Sequence, residues 1–175
     1  MAASATRESP AKTAEGKLQR IETGRESRGG AVTFSSVELN AYAISRIPVY
    51  APHGVRSAKL ELRFGGATAT GMIDFLKLRH ATGVETNWIV AQMIQGERPV
   101  RVSVHIQSAN GWATVFADRV EISGAAVSGV PLDFLIDAFF HPLFPDAKID
   151  TPFRLSYGVD RISISPAGIT CFMKK

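Results

Sequence analysis

The spacing of apolar and polar residues changes several times along this chain, and each change marks an element. From Ser36 to Arg46 the residues Val37, Leu39, Ala41, Tyr42 and Ile44 follow a helical period. Ser35, with Glu38 three positions on, forms a capping box at the start, and Pro48 predicts that the helix stops before it. The period then becomes two. Leu60, Leu62 and Phe64 face one way and Lys59, Glu61 and Arg63 the other, as in a half-buried strand. A turn at Gly65-Gly66 leads into a second strand whose core face reads Ala67, Ala69, Gly71, Ile73 and Phe75. In a third strand Val100, Val102, Val104 and Ile106 alternate with Arg101, Ser103 and His105. Asn110-Gly111 is the turn chemistry that hairpins prefer, and the returning strand brings Trp112, Phe116, Val120 and Ile122 into phase.

A second helix is expected from Pro131 to Phe140, with Pro131 in its first turn and Pro142 and Pro145 beyond its end. Strands near Phe153 to Tyr157 and Arg161 to Met173 follow, the last turning at Pro166-Ala167-Gly168. The two halves form a weak quasi-repeat: a helix, a loop, then a hairpin opened by Gly54-Val55 or Gly158-Val159. Residues 84–97 fit a short buried helix or a strand, because Trp88, Ile89 and Val90 suit both. Together these elements predict an α+β fold: a curved antiparallel sheet of about six strands, with two main helices packed on its concave face.

The chain has 175 residues, 45% hydrophobic and 21% charged, the size and balance of one globular domain. Residues 1–30 differ: charges of both signs and no aromatic residue predict a largely disordered polar tail, with a short helix near Pro10 to Arg20. The single folded domain is then 31–175. The net charge of +4 is scattered among acids, which suits peripheral attraction to an anionic membrane and excludes a dedicated nucleic-acid site. The one cysteine, Cys171, cannot form an internal disulfide and reads as a small buried hydrophobe.

Chemistry-bearing patterns are sparse. Asp133, Asp137 and His141 share one helical stripe, which is the solvent face of an otherwise apolar helix, so no metal is expected there. Neither a nucleophile elbow nor a phosphate-binding loop is present, which argues against an enzyme and against a cofactor. The apolar excess of the second helix has functional content. Phe134, Leu135, Phe139, Phe140 and Phe144 cover more of its circumference than packing on a sheet requires. The surplus is sealed by the Trp88 region, lines a groove for an apolar ligand, or meets a partner protein. Small residues at Ala67 and Ala69 leave room for the groove, with Ile73 and Phe116 completing its sheet side.

Three segments carry a resemblance. Phe34-Ser35-Ser36-Val37-Glu38-Leu39-Asn40-Ala41-Tyr42 resembles the helix that opens many small bacterial envelope proteins, with the pattern T/S-x-x-E-L-N. Val127-Ser128-Gly129-Val130-Pro131-Leu132 is similar to their G-G-V-P segment, and Pro152-Phe153-Arg154-Leu155-Ser156-Tyr157-Gly158-Val159 to their P-F-x-L-P-Y-G-I strand. The wider likeness is to LmeA-like phospholipid-binding envelope proteins and the tubular lipid-binding class. That resemblance implies a long curved sheet around a helix, an acyl-chain groove, and a periplasmic or cell-envelope location. The N-terminus as printed has no apolar leader, which makes the cytoplasm the other compartment to consider. The expected function is non-enzymatic binding of a lipid or other apolar molecule by Ala67, Ala69, Ile73, Phe116, Phe134, Leu135, Phe139, Phe140 and Phe144. The rival is an assembly module that uses the Phe-rich helix.

Overall fold

A computed structural model describes residues 9–51, 53–82 (backbone alone for 79–82), 95–137, 141 and 148–175. Its described elements make an α+β fold of two antiparallel sheets and four helices. The larger sheet has the order β2-β3-β4-β5-β6, from β2 (Val55–Arg63), β3 (Gly66–Asp74), β4 (Glu97–Ala109), β5 (Trp112–Ile122) and β6 (Ala125–Val127), with the two-residue β7 (Phe153–Arg154) also on β5. The smaller sheet has the order β1-β9-β8, from β1 (Ala31–Ser35), β8 (Val159–Ser165) and β9 (Gly168–Met173). The two quasi-repeated hairpins therefore lie in different sheets rather than side by side in one.

The smaller sheet carries the first core. Val32, Phe34, Val159 and Met173 pack with Ala14 and Ile21 of α1 (Pro10–Glu22), and Leu39 and Tyr42 of α2 (Ser36–Tyr50) join them. The short helix read near Pro10 to Arg20 is therefore part of the first core, and the expected disorder of this tail is corrected from Pro10 onward. Ala14, Leu18 and Ile21 recur at helical spacing, and that narrow stripe binds α1 to the sheet without any aromatic residue. Ser9 caps the helix, its hydroxyl accepting from the Lys12 N–H.

The capping box of α2 is present in full: the Glu38 N–H donates to Ser35 Oγ at 3.2 Å, and the Ser35 N–H to Glu38 Oε2 at 2.8 Å. The helix runs through Pro48 instead of ending before it. Proline removes the N–H that would bond the Ile44 carbonyl, but Ile44 is 51% exposed, so water can satisfy that oxygen. Asn40, on a helix side that reads as polar and wet, joins α2 to the larger sheet. Its Oδ1 accepts from the Leu60 N–H at 2.8 Å and its Nδ2 donates to the Leu60 carbonyl at 2.6 Å. Leu60 lies on β2, an outer strand, and its outward backbone groups are paired by this one amide.

The second core closes one end of the larger sheet. Phe75 and Leu78 of α3 (Phe75–Thr82) and Ala51 are buried there, with Val55, Ile73, Val100, Ile122, Phe134 and Leu135 packed on them. Phe75 belongs to this helix and not to β3, because the Asp74 carboxylate accepts the Lys77 N–H at 3.1 Å and ends the strand. That bond comes first in holding the Asp74 carboxyl below its ordinary value. The last described helix, α4, is Val130–Leu135 with Pro131 in its first turn, and the helical path continues as a π turn through residues 136–137; residues 138–140, the remainder of the expected Pro131 to Phe140, lie outside the described residues.

The edge of β8 stitches the two sheets together. The carbonyls of Asp160, Ile162 and Ile164 accept from the Gly111 N–H at 2.7 Å, the Ser108 hydroxyl at 2.9 Å and the Gly65 N–H at 3.0 Å. Ser108 Oγ also accepts the Ile162 N–H at 2.8 Å, standing in for a neighbouring strand's backbone. Cys171 lies half-buried against the first core, and burial pushes its thiol pKa up.

Candidate functional site

Strand registers sort the larger sheet into two faces. Leu60 pairs with Ala69 and Leu62 with Ala67 across β2 and β3. Ala67 pairs with Val104, Ala69 with Val102, Gly71 with Val100 and Ile73 with Arg98 across β3 and β4. Val102 pairs with Val120, Val104 with Ala117 and Ile106 with Val115 across β4 and β5. These positions share one face, and Arg98 is the exception to its apolar character. The other face carries Lys59, Glu61, Thr68, Thr70, Arg101, Ser103, His105 and Arg119.

Phe116 lies on the polar face, not with Ala67 and Ala69. The register shifts between Ser103 and Val104, where a bulge at Asp118 adds one residue to β5. One extra residue reverses the alternation, so Phe116 and Val120 point to opposite faces although four apart. Phe116 pairs with His105 and stacks on it, ring centroids 4.6 Å apart and planes 14° from parallel. Phe64 is also displaced from its expected inward position: β2 ends at Arg63, and Phe64, in the turn with Gly65, is 81% exposed.

The remaining expected ligand residues divide as follows. Ala67 is half-buried and Ala69 exposed on the apolar face. Ile73, Phe134 and Leu135 pack together in the second core at one end of that face. Phe139, Phe140 and Phe144 lie outside the described residues, as does the 84–94 part of the segment whose type the sequence left open. Between the two cores, Leu60, Leu62, Val102, Val104, Ile106 and Val115 are half-buried, and among the described residues none packs against either core. The result is an apolar strip along the sheet, open at Ala69 and bordered at one end by α4 and α3.

The polar face is charge-compensated throughout. Arg56 makes a two-pronged pair with Glu97, Lys59 pairs with Glu61, and Arg101 and Arg119 both reach Glu121, at 3.8 and 2.9 Å. Arg63 and His105 share the Asp118 carboxylate. Burial pushes the Asp118 pKa up, and the hydrogen bonds from His105 and Arg63 outweigh it, holding the carboxyl below its ordinary value. Among the described residues no hydroxyl or thiol is hydrogen-bonded to the His105 imidazole, whose Nδ1 is paired with Asp118. A shallow depression of about 370 Å³ on this face is lined by Ser57, Thr70, Met72, Arg101 and Glu121, whose charged groups already satisfy one another. The Asp133, Asp137 and His141 stripe is exposed, with a 3.1 Å contact between Asp137 and His141, and no group of three metal-ligating side chains occurs among the described residues.

No described helix is long and apolar enough to cross a membrane. No family model matches the chain, and neither the curated proteins nor the solved structures contain a similar one at a significant level.

Proposed function

We propose that this protein is a non-enzymatic binder of a lipid or another long-chain apolar molecule, held along the apolar face of the larger sheet. The observation that carries the reading is the half-covered strip between the two cores, where β3 presents only the small residues Ala67, Ala69 and Gly71 and Ala69 is exposed. Water against such a strip is unfavourable, and an alkyl chain laid on it gains about 0.8 kcal/mol per buried methylene. The ligand set is thereby revised. Leu60, Leu62, Ala67, Ala69, Val102 and Val104 form the floor, Ile73, Phe134 and Leu135 close one end, and Phe116 takes no part. A curved sheet with the helices on its concave face, an envelope location suggested by the resemblance, and a peripheral contact to anionic lipid suggested by the net charge of +4 belong to the same proposal.

Purified protein is expected to carry co-purifying lipid detectable by native mass spectrometry, and after delipidation to take up a fluorescent fatty acid. Ligand-free protein that refuses the probe would defeat the reading. A stable homo-oligomer that never held lipid would favour the assembly module in its place.

A further inference from the structure

We infer that Arg98 is an anion-binding residue at one end of the apolar strip, so that the ligand is an amphiphile carrying a carboxylate or phosphate head. This inference rests on the proposed groove and adds the chemical class of its occupant. Arg98 pairs with Ile73 and stands two residues before Val100, and both neighbours belong to the second core that closes the strip. Its side chain is half-buried on the apolar face, and Nε is shielded from solvent with no hydrogen-bond partner among the described residues. Every other arginine of the larger sheet's first four strands is matched to a carboxylate on the opposite face: Arg56 to Glu97, Arg63 to Asp118, Arg101 and Arg119 to Glu121. Among the described residues Arg98 has no such counterpart.

A guanidinium lodged among apolar side chains is costly unless its donors are used. An oxyanion supplies the missing acceptors, and the planar fork of arginine matches carboxylate or phosphate oxygens two at a time. With the head held by Arg98 at the closed end, the alkyl tail lies over Ala69 and Val102, paired positions of β3 and β4 beyond the second core.

The test compares three probes of equal chain length on delipidated full-length protein by calorimetry: dodecanoate, dodecyl phosphate and dodecanol. Wild type is expected to bind at least one of the two anions roughly 10- to 100-fold more tightly than the alcohol, the range of a charge-assisted hydrogen bond. Which anion leads separates a fatty-acid ligand from a phosphate-headed one. In Arg98→Met the preference is expected to vanish while dodecanol affinity is kept; in Arg98→Lys it is partly restored. Arg101→Met, on the other face, leaves all three unchanged. Equal affinity of wild type for the three probes would overturn the role of Arg98 and leave the groove standing. Failure of all three to bind would overturn the groove and the inference with it. The wild-type comparison does not depend on any variant folding.

Discussion

Replacing Asn40 with alanine removes the one side chain that pairs both outward backbone groups of Leu60. The two hydrogen bonds to Leu60, at 2.8 and 2.6 Å, are lost together, each worth about 0.5–1.5 kcal/mol net, and a longer one from Nδ2 to the Ser36 carbonyl within the helix, at 3.1 Å, goes with them. Alanine is the better helix former and returns roughly 0.5 kcal/mol. Leu60 is half-buried, so water reaches the freed groups only in part and the loss is not cancelled. The net expectation is a destabilisation of about 1–2 kcal/mol, or roughly 3–6 °C in Tm for a chain of this size. Asn40→Asp is expected to be at least as damaging, because a carboxylate oxygen then faces the Leu60 carbonyl. Urea unfolding followed by circular dichroism measures the energy, and amide hydrogen exchange locates it: the Leu60 amide is expected to lose protection before its neighbours. A change under 0.5 kcal/mol with Leu60 still protected would refute the claim that this amide ties the helix to the sheet edge.

Other outcomes follow from local geometry. A Cβ at Gly168 would lie 2.0 Å from the Phe34 carbonyl oxygen, so Gly168→Ala must displace β1 from β9 and is expected to cost about 1–3 kcal/mol in thermal or urea unfolding. The Lys17 ammonium, bonded to the Glu38 carboxylate, comes first in holding that carboxyl below its ordinary value. A lowered folded-state pKa gives stability that is present above the ordinary carboxylate range and lost as pH falls through the folded value. Unfolding midpoints compared at neutral pH and pH 3 are therefore expected to drop more in wild type than in Glu38→Gln, and equal drops would contradict this.

Much of the frame was legible in local pattern. The Ser35 and Glu38 capping box, the Asn110-Gly111 turn and the alternation of β3 and β4 each follow from chemistry within a few residues. What escaped depends on events that period alone does not reveal. The bulge at Asp118 inverts the phase of β5 midway, which moved Phe116 from the expected groove to the His105 stack. Pro48 sits where the helix faces solvent, so the usual stop signal did not stop it. For α1 a short helix was legible but its packing was not, because the stripe of Ala14, Leu18 and Ile21 is narrow within a polar composition. Asn40 reads as an ordinary wet-side residue until the edge of β2 is placed beside it. For Arg98 a signal existed: it is in phase with Val100 and Val102, and a charge in an apolar register marks a position that needs a partner.

The central claim is that an alkyl chain lies on the apolar strip, and affinity as a function of chain length tests it most directly. For straight-chain alcohols from eight to twelve carbons, binding to delipidated protein is expected to tighten about fourfold per methylene, the increment for burial of one CH₂. Ala69→Trp, which fills the exposed gap in the strip without disturbing either core, is expected to abolish most of that gain. Affinity that is flat with chain length, or a series unaffected by Ala69→Trp, would contradict the account.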